Sequence, residues 1–147
     1  MTINVLSAAK HMVERSRRSL SNLELQKLIY LAHMFHLGRR REALVTGHFQ
    51  AWDYGPVHPE LYREARIYGS EPVQAIMAPN VYIKQLAGSS EEAVLDEAYD
   101  ALGRAGPGQL IHATHRKGGA WDKNYIPGRR GLIIPNRDIL EEYLTLG

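Results

Sequence analysis

Histidines, carboxylates and glycine pairs are the features of this 147-residue sequence with chemistry to offer. Two segments, His33-Met34-Phe35-His36 and His112-Ala113-Thr114-His115, each set two imidazoles three residues apart. On a helix that spacing puts both rings on one side, where they suit a metal ion. A closed structural zinc site needs about four ligands, and neither pair has companions nearby. The first pair also lacks the His-Glu-x-x-His pattern of zinc proteases. His36 falls within the apolar stripe of Leu25, Ile29 and Ala32, the setting of a core histidine. Asp96, Glu97 and Asp100 form an acidic helix face of the kind that serves solubility. No Gly-x-Ser-x-Gly elbow is present, and Gly118-Gly119 is too little for a phosphate loop. Cysteine is absent, so there is neither a thiol nucleophile nor a disulfide framework. The expectation is a protein that is not an enzyme, with no catalytic residue, no metal and no cofactor.

What remains is binding. Trp52, Tyr54, Pro56, His58 and Tyr62 lie within eleven residues, and His115 and Trp121 form a second aromatic group. Trp and Tyr dominate interface hot spots, so these seven are the candidate partner-binding residues. The competing reading packs Trp52 beneath a hairpin and uses Gly55 for a backbone angle that glycine tolerates best. For Trp52 and Gly55 the packing reading is preferred, because large aromatics are mostly buried. His58 and Tyr62 are expected to be the accessible ones.

These residues need a scaffold, and the pattern is mainly α. Val5, Leu6, Ala9, Met12 and Val13 share a helical stripe, with Lys10, Glu14, Arg17 and Arg18 on the other side. Ser21-Asn22-Leu23-Glu24 is a capping box opening a helix over 22–37. That helix is apolar nearly all round and therefore central; Gly38 is its expected stop. Ala43-Leu44-Val45, then Thr46-Gly47, then Phe49-Gln50-Ala51-Trp52 suggest a short hairpin ended by Tyr54-Gly55-Pro56. Pro59 opens a helix to Tyr68, with Gly69 after it. Residues 70–88 read as a loop with a helical turn. Ser89 and Glu92 form another capping box, followed by the stripe of Val94, Leu95, Ala98, Leu102 and Ala105. Gly106-Pro107-Gly108 breaks that helix. A short helix over 109–115, a Gly-rich stretch over 116–131 and a last helix from Pro135 or Asn136 complete the reading: one compact domain over 1–147, about six helices and one hairpin.

Hydrophobic residues make up 44% and charged residues 23%, which excludes disorder over the whole chain. No apolar run approaches the roughly 20 residues of a spanning helix. The first ten residues do not read as a secretory signal. A cytoplasmic protein without a membrane partner is expected. The net charge is only +2, and the arginines come in separate groups, Arg15 with Arg17 and Arg18, Arg39 to Arg41, and Arg129 with Arg130. Nucleic-acid binders concentrate such charge on one face, so nucleic acid is not expected as a partner.

Three stretches stand out together: Leu25-Gln26-Lys27-Leu28-Ile29-Tyr30; Ala51-Trp52-Asp53-Tyr54-Gly55-Pro56-Val57, with Pro59, Leu61-Tyr62 and Tyr68-Gly69; and Thr114-His115 with Trp121. Their order and spacing resemble the SocA-like antitoxin family, also called the Panacea domain, from about Ser21 onward. The aromatic-Gly-Pro centre is the most specific part. The resemblance implies an antitoxin that binds and neutralises a cognate protein toxin, usually encoded beside it. It also implies an adaptor delivering that toxin to the ClpXP protease, with direct sequestration or autorepression through DNA as alternatives. His115, part of the resemblance, is expected to brace the loop carrying Trp121.

Overall fold

Three polar side chains start helices by accepting hydrogen bonds from amides that the first turn leaves unpaired. Asn4 accepts from Leu6 and opens α1 (Val5–Arg15). Ser21 accepts from the Glu24 amide while the Glu24 carboxylate accepts from the Ser21 amide, closing the expected capping box of α2 (Asn22–Arg40). Ser89 accepts from Glu92 and opens α5 (Ser90–Leu102), but Glu92 reaches back to the Gly88 amide instead of to Ser89. The remaining elements are β1 (Gln50–Trp52), β2 (Gly55–Val57), α3 (Pro59–Ala65) with a 3-10 turn over Arg66–Tyr68, α4 (Asn80–Leu86), α6 (Pro107–Thr114), α7 (Ala120–Asn124) and α8 (Asn136–Thr145). The computed structural model describes residues 1–146, and among the described residues the architecture is mainly α.

The second helix is the axis of the molecule. α1, α3, α5, α6 and α8 all pack against it. Leu25, Leu28, Ile29, Tyr30, Ala32 and Met34 are almost wholly shielded on several sides of that helix. The helix runs three residues past Leu37, so Gly38 is not its stop. Arg41, in the left-handed conformation at φ 56°, ends it instead. Gly38 serves packing: a Cβ there would collide with the Tyr143 ring on α8.

The hairpin lies one strand further along than expected. β1 pairs antiparallel with β2 through Gln50–Val57, Ala51–Pro56 and Trp52–Gly55, and Asp53-Tyr54 makes the turn. Gly55-Pro56 therefore lies inside a strand, although proline lacks an amide to donate. The strand tolerates it because the opposite Ala51 amide points away, to the Leu132 carbonyl at 2.9 Å. Residues 43–45 pair elsewhere: Ile3 donates to Leu44, and Thr46 donates to Ile3, both at 2.8 Å. The Gly-rich stretch hides α7, and beyond it Ile134 donates to Phe49 at 2.8 Å, laying chain along the outer edge of β1.

The acidic face of α5 is not open to solvent partners as a unit. Asp96 lies 2.7 Å from His11 and 3.4 Å from Arg15, Asp100 lies 2.6 Å from Arg15, and Glu97 takes both Arg39 amino groups at 2.6 Å. Acidic and basic groups read separately in the sequence are one intramolecular seam tying α1 and α2 to α5. Arg17 and Arg18 lie beyond the end of α1, both in left-handed backbone, and are not part of its polar side.

Candidate partner-binding site

Two polar residues of α2 reach the hairpin and hold it. Gln26 and Lys27 lie on a helix surface buried against β2, where apolar side chains would be the ordinary choice. The Gln26 side-chain oxygen accepts from the His58 amide at 2.7 Å, and its amide donates to the His58 carbonyl at 3.3 Å. This side chain thus substitutes for a strand partner at the junction of β2 and α3. Lys27 donates through Nζ to the Pro56 carbonyl at 2.9 Å and is 1% exposed. Burial drives its ammonium down to a pKa of about 7, because removing the charged form from water is unfavourable.

Gly55 lies against that lysine. Its φ is +116°, and a Cβ would stand 2.8 Å from Lys27 Cε and 3.1 Å from the His115 ring. No larger residue fits between them. His115 continues the stack: its ring lies 3.7 Å from that of Trp121 at 12°, and Trp121 lies 4.5 Å from Tyr125 at 19°. The Trp121 indole donates to the Trp52 carbonyl at 2.7 Å, and the Tyr125 hydroxyl donates to Asp53 at 2.7 Å. Burial first, then the positive Lys27, holds His115 below the ordinary imidazole range. The imidazole is braced against the loop carrying Trp121, and the loop in turn fixes the hairpin turn.

Above this framework is a cavity of about 600 Å³. Trp52, Tyr62, Leu23 and Val57 supply its apolar wall, and Lys27, Gln26, Asp53 and Arg130 its polar groups. The Trp52 and Tyr62 rings meet edge to face at 4.8 Å, and the Arg130 guanidinium lies 4.0 Å from the Trp52 ring centre. Aromatic walls with a few converging polar groups are the ordinary make-up of a binding cavity.

The seven candidate residues divide between wall and frame. Trp52 is half-buried and forms the wall, so it is not packed away beneath the hairpin. Tyr54 is 69% exposed at the turn, and Tyr62 is half-buried opposite Trp52. Pro56 is buried and offers only its carbonyl, to Lys27. His58 was expected to be accessible, yet it is 3% exposed. Its Nε2 pairs with the Thr46 carbonyl at 2.8 Å, and Phe49 packs on it edge to face. His115 and Trp121 are frame residues beneath the turn. Sequence reasoning missed Lys27 and Arg130 as cavity groups. The signal for Lys27 was a lysine amid a helix that is otherwise apolar all round.

The histidines of the first pair turn to different partners. His33 pairs through Nε2 with Asn136 at 2.9 Å, whereas His36 pairs through Nδ1 with the Glu42 carbonyl at 2.6 Å. Burial lowers the His33 pKa to about 4. Among the described residues no three His, Cys, Asp or Glu side chains gather as a metal would require. Among the described residues no helix is long and apolar enough to cross a membrane.

The three sequence motifs thus meet in one region of a mainly α fold. This chain belongs to the SocA-like antitoxin family: the model described as "Antitoxin SocA-like, Panacea domain" matches residues 25–122, which include all three motifs. It is 31% identical over 110 residues to Antitoxin SocA of Caulobacter vibrioides (strain NA1000 / CB15N), a match covering 70% of this chain. The matched part spans 58% of that relative's length. No solved structure matches the chain significantly.

Proposed function

We propose that this chain is the antitoxin of a toxin–antitoxin pair, binding its cognate protein toxin through the face around Trp52, Tyr54 and Tyr62 and delivering it to the ClpXP protease. Family membership supports the antitoxin role. The observation that carries the choice of face is that residues of the first two family motifs line one cavity, with Trp52 and Tyr62 on its wall, while His115 and Trp121 of the third stack behind Gly55 and the hairpin turn. Aromatic side chains fixed in place make good anchors because little conformational freedom is left to lose on binding. The charged seam between α1, α2 and α5 is a poorer candidate for toxin or DNA, since its charges already satisfy one another.

Delivery to a protease is tethering. Holding toxin and protease together raises the effective concentration of one at the other to the order of mM, which substitutes for a strong degradation tag. The test has two stages. The product of the neighbouring gene, expressed alone, should arrest growth, and this chain should restore it; a harmless neighbour removes the antitoxin reading. With toxin, ClpXP and ATP in vitro, the chain should shorten the toxin's half-life. Suppressed toxicity with an unchanged half-life replaces delivery by sequestration.

A further inference from the structure

The chemistry of the cavity narrows what can occupy it. Two basic side chains line it, Arg130 at an exposed position and Lys27 at the buried floor, against one carboxylate, Asp53. Asp53 already accepts the Tyr125 hydroxyl at 2.7 Å. Arg130 has no carboxylate within ion-pair distance among the described residues, and its guanidinium carbon lies over the Trp52 ring at 4.0 Å. Lys27 uses one of three N–H donors, on the Pro56 carbonyl. The remaining wall, Leu23, Val57, Trp52 and Tyr62, is apolar or aromatic. With Asp53 engaged by Tyr125, the site presents the Arg130 charge, an amine that an arriving anion would hold protonated, and an apolar surface, and its complement is an anionic group carried next to an apolar one.

Size separates the ways of presenting such a pair. A volume of about 600 Å³ is roughly 8 Å across, and extended chain advances about 3.3 Å per residue, so two to three residues fit. A chain end carries its carboxylate and its last side chain on the same Cα, and it needs only one opening. An internal segment carries acid and apolar group on different residues and must enter and leave.

The geometry points to this cavity as a receptor for the carboxyl terminus of the protein partner, with Lys27 and Arg130 taking the free α-carboxylate and the last residue's apolar side chain lying between Leu23, Val57, Trp52 and Tyr62. The inference rests on the antitoxin reading and specifies what that face grips. Carboxylates bound by two cationic donors in a partly dry site make the stronger class of hydrogen bond, and capture of a chain terminus is an established mode of peptide recognition.

The two tryptophans allow a direct test. In nitrogen-15-labelled protein, the Trp52 indole N–H reports on the cavity and that of Trp121 on the frame. Three peptides serve as probes: acetyl-Gly-Ser-Phe with a free carboxylate, the same peptide as its amide, and acetyl-Gly-Asp-Phe-Gly-Ser-amide with an internal acid. The free acid should move the Trp52 resonance more than that of Trp121, and bind about tenfold or more tighter than either other peptide. Arg130→Gln, at an exposed position, should reduce the free acid to the affinity of the amide; Lys27→Met should do the same if it folds. Equal binding of acid and amide, equal binding of the internal acid, or no movement of Trp52 at about 10 mM peptide overturns the inference. In the full complex, removing the toxin's last three residues should weaken capture by about tenfold or more. A truncated toxin still captured and neutralised overturns the chain-end inference and leaves the antitoxin reading intact. An intact toxin that is never captured counts against that reading itself.

Discussion

Replacing Lys27 by Met tests the energetics of the site most sharply. In the native state the amine is buried under Gly55 and its pKa is about 7, against about 10.4 in an unfolded chain. Between those values the unfolded state binds more protons than the native state, so stability rises with pH across that window. At pH 6.5 both states are largely protonated and burying the charge costs about 4–5 kcal/mol. At pH 9.5 the cost falls to about 1.5 kcal/mol, so wild-type protein gains about 3 kcal/mol between the two. Met has similar bulk and no charge. It forfeits the bond to the Pro56 carbonyl, worth about 1 kcal/mol. Lys27→Met should therefore be the more stable protein at pH 6.5, and the two should nearly meet at pH 9.5. Urea unfolding at both pH values measures this. With a slope of about 2 kcal/mol/M, the wild-type midpoint should rise by roughly 1.5 M relative to the variant. All other titrating groups are common to both proteins and cancel in the comparison. Parallel pH profiles would show that Lys27 is solvated and charged in the native state, and the account of the cavity floor would be wrong.

Three other substitutions probe the frame. Gly55→Ala places a methyl at 2.8 Å from Lys27 Cε in left-handed backbone, so it should cost about 1–3 kcal/mol and weaken toxin capture more than that loss of fold explains; unchanged melting and capture would refute the interlock. Gly38→Ala drives a methyl into the Tyr143 ring and should lower stability by about 1–3 kcal/mol, read as a lower melting temperature with toxin binding retained in the folded fraction. His33, held neutral with a pKa of about 4, makes the native state bind fewer protons than the unfolded chain below about pH 6.5. Wild-type protein should accordingly lose up to about 3 kcal/mol between pH 6.5 and 4, and His33→Gln should flatten that part of the profile in acid unfolding.

Local signals were the legible ones. Ser21 and Glu24 announced α2 because a capping box is closed within four residues, and the stripe of Val94, Leu95 and Ala98 announced α5 because burial repeats with the helical period. The hairpin was misplaced because its identity depends on distant chain. Gly55-Pro56 looks like a terminator until Leu132 takes the Ala51 amide and Lys27 takes the Pro56 carbonyl. The burial of His58 is hidden in the sequence for a related reason. Its polar partner is the Thr46 carbonyl and its apolar partner is Phe49, and neither is implied by the residues beside it. Gly38 carried a stop signal by type, yet its role is set by a tyrosine from α8.

The family motifs mix two kinds of residue that a motif alone cannot separate. Gln26, Gly55, Pro56, His115 and Trp121 fit one another: remove any of them and the turn at Asp53-Tyr54 loses a strut. Trp52 and Tyr62 face the space those struts create. Lys27 belongs to both groups, bonded to the Pro56 carbonyl and lining the cavity. A buried lysine is a costly strut when glutamine, neutral and already used at the adjacent position, makes comparable bonds. That cost has a functional account if the cavity receives a carboxylate, because an arriving anion stabilises the charged amine that burial disfavours. The same residue then explains why the hairpin is held from below by a side chain of that length, and why a basic group stands at the floor of the cavity as well as Arg130 at its exposed side.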